Sequence, residues 1–193
     1  MKLREQAGQL IIVGLEGPDM SALERALLTL IRPSGLILFR RNIEQAPQVT
    51  ALLRHANEIC GSPIFRCIDL EGGLVDRLRD LIAPMPSAAA VFASGKIVSF
   101  AKHGRLIARE AKALGFNVTF APVLDLALPA STAVMQSRVV SSKPSDVIAY
   151  AKAFVDGLNA EGIGSHDLLP GRGSRARWKG FHIPVIGRMG RRL

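Results

Sequence analysis

Short apolar runs alternate with helix-patterned stretches along this chain, and that alternation constrains its fold more than any other feature. Residues 10–15, 35–39 and 63–68 read as buried strands, the last bounded by clear breakers. Helical patterns fall between them at residues 2–9, 21–31 and 46–59. In the second of these, Ser21 and Glu24 have the spacing of a capping box. In the third, Val49, Leu52, Leu53 and Ala56 mark one apolar face. Strand, helix and strand in regular succession is the pattern of a parallel sheet covered by helices.

The second half continues in the same way. A small-residue helix is expected at 87–93 and a longer one at 96–114, closed by Gly115. The fourth strand lies within 116–126, with Pro122 ending its ladder. A loop through 131–138 leads to a helix at 144–161, with Pro144 in its first position and Ser142 as the nearby cap. A fifth strand is expected at 163–169, and 183–186 is a sixth strand or its remnant.

The richest chemistry follows the third strand, in Asp69-Leu70-Glu71-Gly72-Gly73-Leu74-Val75-Asp76-Arg77. Ligands of parallel α/β folds bind at the C-terminal ends of strands, where Asp69 and Glu71 would sit. Gly72 and Gly73 permit a sharp turn and close approach of backbone to ligand. Asp69 can accept from hydroxyl groups, and Arg77 can pair with a carboxylate of a ligand or of the protein. The segment alone is equally compatible with a glycine turn capped by Asp69 beside a surface ion pair of Arg77.

Composition narrows the remaining classes. The net charge of +9 sits almost wholly between Leu168 and Leu193, where six arginines and Lys179 meet no Asp or Glu; only +2 remains for residues 1–167. A basic tail with Trp178 and Phe181 could contact phosphates, but a nearly balanced body makes nucleic acid an unlikely partner. No apolar run reaches the roughly 18 residues of a membrane span. The opening residues lack a signal-peptide pattern, so a cytoplasmic location is the expectation. Cys60 and Cys67 are too few for a disulfide framework and lack metal-ligand partners, and read as reduced, buried thiols.

Four segments together resemble the N-terminal catalytic domain of glycoside hydrolase family 3, in its bacterial β-N-acetylhexosaminidase branch. They are Gly35-Leu36-Ile37-Leu38-Phe39 with Arg41-Asn42; Asp69-Leu70-Glu71-Gly72-Gly73 with Val75 and Arg77; Gly115-Phe116-Asn117 with Phe120-Ala121-Pro122-Val123-Leu124-Asp125; and Ser137-Arg138. The resemblance implies a (β/α)8 TIM barrel with these segments on successive strands and the loops after them. It implies that Asp69 binds sugar hydroxyls, that Arg77 and Arg138 hold the sugar and its acyl group, and that Glu71, Gly72, Gly73 and Asp125 support the site. A structural acceptor role for Asp125 and a surface position for Arg138 stay open. No cofactor or metal is implied, because the family's hydrolysis uses side chains and water.

The chain also departs from the family pattern. Leu74 stands where the family has an arginine. Beyond Ile163, Asp167 and Leu168 replace the sugar-binding lysine and histidine, and Trp178, Lys179 and Gly180 replace an Asp-Ser-His loop that carries the acid/base. His166 and His182 are displaced from that pattern. The family's nucleophilic aspartate lies further along than this chain extends, and Glu71 is not expected to replace it. A change of frame or truncation near residue 164 is favoured over in-frame divergence as the origin of the tail.

Length gives the same expectation independently, since a complete barrel takes roughly 250 residues and this chain has 193. The expected fold is α/β, an incomplete (β/α)8 barrel with about five of its eight strands. Residues 1–167 form it, and 168–193 are a basic divergent tail. Retaining hydrolysis needs both a nucleophilic carboxylate and a proton donor, so the chain is expected to hold a small N-acetylglucosamine-containing carbohydrate without turning it over. Open barrel edges would favour self-association.

Overall fold

The computed structural model describes residues 3–61, 63–165 and a strand at 185–186. Its strands are β1 (Ile12–Gly14), β2 (Gly35–Leu38), β3 (Phe65–Ile68), β4 (Leu70–Gly72), β5 (Val75–Asp76), β6 (Val118–Thr119), β7 (Gly164–Ser165) and β8 (Val185–Ile186). Its helices are α1 (Leu3–Gly8), α2 (Ala22–Ile31), α3 (Ala46–Cys60), α4 (Ala88–Ala93), α5 (Ile97–Ala113), α6 (Pro129–Met135) and α7 (Pro144–Ala160). The main sheet runs β7-β6-β3-β2-β1-β8 with every pairing parallel, the β/α arrangement of an incomplete TIM barrel.

Side chains alternate between two apolar clusters along the strands. Val13, Leu36, Leu38 and Ile68 join the large core under the helices, with Leu28, Leu53, Ile107 and Phe154. Ile12, Ile37, Cys67 and Phe120 form a second cluster. This two-sided burial explains why the strands read as continuous apolar runs rather than as alternating ones. The helices α5 and α7 cross at Gly104 and Gly157, where a Cβ on either would overlap the backbone of Phe154 or Ala101.

The sequence reading needs several local corrections. The first strand spans only Ile12–Gly14, because the end of α1 takes the amides of Gln9, Leu10 and Ile11 onto the carbonyls of Glu5, Ala7 and Gly8. The fourth expected strand is two residues long, although Phe120 N–H still reaches the Ile68 carbonyl. Residues 131–138, expected as loop, fall instead in helix α6 and in the 3-10 turn Gln136–Arg138 that follows it. The hydroxyl at the start of α7 is that of Ser141, not Ser142: it accepts from Lys143 N–H at 3.1 Å and donates to Asp146 at 2.7 Å. The short strand at 185–186 lies beside β1, at the opposite edge from β7.

The Ser21–Glu24 capping box is present, with Ser21 N–H donating to Glu24 at 2.7 Å and Glu24 N–H to Ser21 Oγ at 3.2 Å. Cys60 and Cys67 are both buried and unbridged. Except for residues 163–165 and 185–186, the expected fifth and sixth strands lie outside the described residues. So do His166, Asp167, Leu168, Trp178, Lys179, Gly180, His182 and the remaining basic tail.

Candidate active site

The register Gly14↔Ile37, Leu38↔Ile68 and Ile68↔Thr119 aligns the C-terminal ends of four neighbouring strands on one rim. Asp69 leaves β3 on this rim, and the following residues form the antiparallel hairpin β4–β5 rather than an open loop. Gly72 and Gly73 have φ of 83° and 62°, which L side chains rarely adopt. Both pack tightly as well: a Cβ on Gly72 would overlap the Pro86 carbonyl, and one on Gly73 would overlap Ser87.

The hairpin is fastened from several directions. Gly73 N–H donates to the Met85 carbonyl at 2.8 Å, and the Arg79 guanidinium donates to the Gly73 carbonyl. Asp76 is buried and accepts from the backbone amides of Leu78 and Met85. The Thr119 hydroxyl reaches the carbonyls of Ile68 and Leu70 on either side of Asp69. Leu74, at the hairpin tip, is 52 % exposed.

Two arginines meet the two carboxylates. Arg77 Nη2 donates to Asp69 Oδ2 at 3.1 Å, which is a half-buried pair rather than a surface one. The Nε of Arg77 is buried without a hydrogen-bond partner. Arg138 Nε and Nη2 donate to the two oxygens of Glu71 at 2.8 and 2.7 Å, a bidentate fork. Glu71 is 4 % exposed, and burial pushes its carboxyl above the ordinary range while Arg138 partly offsets the push. The same fork raises the Arg138 guanidinium further.

Arg138 ends the 3-10 turn that begins at Gln136, whose φ of 47° and ψ of −125° are strained for a residue with a Cβ. Asp125 lies in the connection between β6 and α6; burial raises its pKa and the charge of Arg138 lowers it. Glu71 and Arg138 line a small cleft with Ala121, Pro122, Val123 and Tyr150. The structure therefore gathers Asp69, Glu71, Gly72, Gly73 and Arg77 on one hairpin, brings Arg138 to it across 67 residues of chain, and leaves Asp125 within the electrostatic reach of Arg138.

Sequence reasoning did not single out the buried polar groups beneath the hairpin. His103 on α5 and Tyr150 on α7 meet at 3.0 Å. Glu110, also on α5, is buried and coupled to Asp76. A lone polar residue on an otherwise apolar helix face was the available signal, as in Phe100, His103 and Ile107 at helical spacing. Among the described residues no helix is long and apolar enough to cross a membrane, and no cluster of three His, Cys, Asp or Glu side chains could hold a metal.

Parallel β/α order, with acidic groups and arginines gathered on the C-terminal strand rim, defines a TIM-barrel-type domain whose candidate site lies at that rim. The chain belongs to glycosyl hydrolase family 3: the sequence profile of the family's N terminal domain matches residues 2–193. Curated relatives include a beta-hexosaminidase from Xanthomonas campestris, 33% identical over 172 residues, and one from Alkalilimnicola ehrlichii, 35% identical over 184 residues. These alignments cover 86% and 90% of this chain but 51% and 52% of the relatives, so the chain spans about half their length. Among solved structures, a family 3 beta-N-acetylglucosaminidase from Paenibacillus sp. matches with a TM-score of 0.81 and 29% identity, over 86% of this chain and 32% of that one. NagZ from Neisseria gonorrhoeae in complex with N-trifluoroacetyl-D-glucosamine matches with a TM-score of 0.74 and 25% identity, over 81% and 48%.

Proposed function

We propose that this chain forms the sugar-holding half of a β-N-acetylhexosaminidase-type glycosidase site and binds an N-acetylglucosamine-containing saccharide, such as a cell-wall fragment in peptidoglycan recycling. The observation that carries this reading is the rim hairpin, which presents Asp69 beside Arg77 and fixes Glu71 against Arg138. An aspartate already oriented by a guanidinium is an acceptor preorganised for sugar hydroxyls. The names of the aligned beta-hexosaminidases and beta-N-acetylglucosaminidase support the choice of sugar.

Turnover by these 193 residues alone is not expected. Retaining hydrolysis needs a carboxylate free to attack and a second group to protonate the leaving oxygen. Asp69 and Glu71 are instead each engaged by an arginine. Two unbridged buried thiols support action in a reducing compartment, the cytoplasm. Calorimetry with N-acetylglucosamine is expected to show binding that Asp69→Ala abolishes; no heat from either protein would defeat the reading. Release of 4-nitrophenol from an aryl N-acetyl-β-glucosaminide would defeat the inactivity and leave the binding intact.

A non-catalytic sugar-binding or regulatory module is the second reading, supported by the same two ion pairs. It differs in what restores turnover. If joining the remaining half of a full-length beta-hexosaminidase relative to this chain leaves a well-folded protein inactive, the module reading prevails.

A further inference from the structure

His103 is 2 % exposed, one of the few buried polar side chains among the described residues. Its Nδ1 lies 3.0 Å from the Tyr150 hydroxyl, which joins α5 to α7. Its Nε2 is buried and lies 3.0 Å from where a Cβ on Gly72 would stand, in the same space as the Pro86 carbonyl, the backbone hydrogen-bond acceptor of the ring. The ring packs edge-on against Phe154, with centroids 5.3 Å apart.

The polarity has a geometric consequence. Burial pulls the imidazole down to about 4, with the Pro86 carbonyl opposing, so the ring is neutral near pH 7. A neutral imidazole has one donor and one acceptor. With the Pro86 carbonyl, which can only accept, near Nε2, Nδ1 is left to accept from the Tyr150 hydroxyl, whose pKa burial raises. The proton then sits on Nε2, beside the Pro86 carbonyl and close to the Gly72 backbone. Gly72 adjoins Glu71, while Glu71, Arg138 and Tyr150 line one cleft.

We propose that His103 is a positioning residue: clamped by the Tyr150 hydroxyl, its ring sets the height of the β4–β5 hairpin and so the alignment of Glu71 with Arg138. The inference rests on the sugar-site reading for its purpose, but its geometry can be tested without any sugar. The chain of contact runs from Tyr150 to His103, from His103 to the Pro86 carbonyl and the Gly72 backbone beside it, and from Gly72 through the backbone to Glu71.

The test uses nuclear magnetic resonance on the full chain. In the parent protein, His103 is expected as the Nε2–H tautomer at pH 7, and the Arg138 Nε–H is expected as a slowly exchanging signal. A charged ring or the Nδ1–H tautomer overturns the proposal. His103→Leu is expected to move the Arg138 Nε–H signal and speed its exchange by at least about tenfold, whereas Ile107→Val, one turn further along α5, leaves it in place. His103→Asn retains an acceptor for Tyr150 and is expected to restore most of the protection. An unchanged Arg138 signal in His103→Leu, or the same loss in His103→Asn, overturns the proposal. If His103→Leu does not fold, the parent tautomer and His103→Asn decide it. Calorimetry with N-acetylglucosamine then reads the purpose: weaker binding in His103→Leu than in Ile107→Val is expected. A parent protein that binds no sugar, yet shows the expected tautomer and Arg138 signal, defeats the sugar-site reading and leaves the positioning role standing.

Discussion

The Arg138 guanidinium grips the Glu71 carboxylate through two N–H···O bonds of 2.8 and 2.7 Å across 67 residues of sequence. This pair ties the 3-10 turn after α6 to the hairpin after β3. It is the longest-range side-chain tie among the rim residues, and it sits where burial makes an unpaired charge costly.

Removing one partner should therefore cost more than removing both. Arg138→Leu is expected to lose about 3–5 kcal/mol of unfolding free energy, since it strands a buried carboxylate. The double variant Arg138→Leu with Glu71→Leu should recover a substantial part of that loss. Urea unfolding of the four proteins of the cycle measures it, and additive losses would refute the coupling.

Gly72 is held by both its φ of 83° and the Pro86 carbonyl beneath it. Gly72→Ala is expected to destabilise the chain by about 2 kcal/mol or more, because strain and backbone overlap act together. Gly61→Ala serves as the comparison: its φ is 68°, but nothing lies within 4 Å of its would-be Cβ. Equal midpoint shifts for the two variants would show that close packing under the hairpin contributes nothing.

Burial pushes the Glu110 carboxyl up to about 7 from an ordinary value near 4.5, and the Asp76 charge adds to the push. The folded protein thus holds a proton that the unfolded chain releases. Its contribution is complete below about pH 4.5 and is lost as pH rises through about 7. Glu110→Gln should flatten this dependence and gain about 1–3 kcal/mol on the parent at pH 8. Parallel stability curves for the two proteins from pH 5 to 8 would contradict it.

Alanine in place of Gly104 should raise intrinsic helix propensity by about 1 kcal/mol. The structure predicts the opposite sign, since the added methyl would overlap the Phe154 carbonyl where α5 crosses α7. We expect a net loss of about 2 kcal/mol in chemical unfolding. A thermal midpoint at or above that of the parent would mean that the helices part at little cost.

The β/α order and the place of Asp69 were legible because strand runs bounded by breakers and capped helices are local signals, as at Ser21 and Glu24. The rim hairpin was legible only as a glycine turn, because its pairing of Leu70 with Asp76 depends on anchors as distant as Met85 and Thr119. Partner choice was less accessible still. Nothing local in Ser137-Arg138 specifies Glu71, and the helix α6 that delivers it has Thr, Val and Ser in weak helical positions. The His103–Tyr150 contact spans 47 residues between two helices, and each residue alone looks like an ordinary core position.

Strands that are apolar on both faces carry no hydrophobic index of which residue stands opposite which, because a slip of one place exchanges one buried face for another. Here the index marks are polar and steric. The Asn117 amide accepts from Arg66 N–H at 2.7 Å and donates to the Ile64 carbonyl at 3.1 Å, fixing β6 against β3. Gly35 leaves no room for a Cβ against the Phe65 backbone, which fixes β2 against the same strand. The apolar strand residues are thus interchangeable letters, while Asn117 and Gly35 set the frame in which they are read, and with it the level at which Asp69 emerges on the rim.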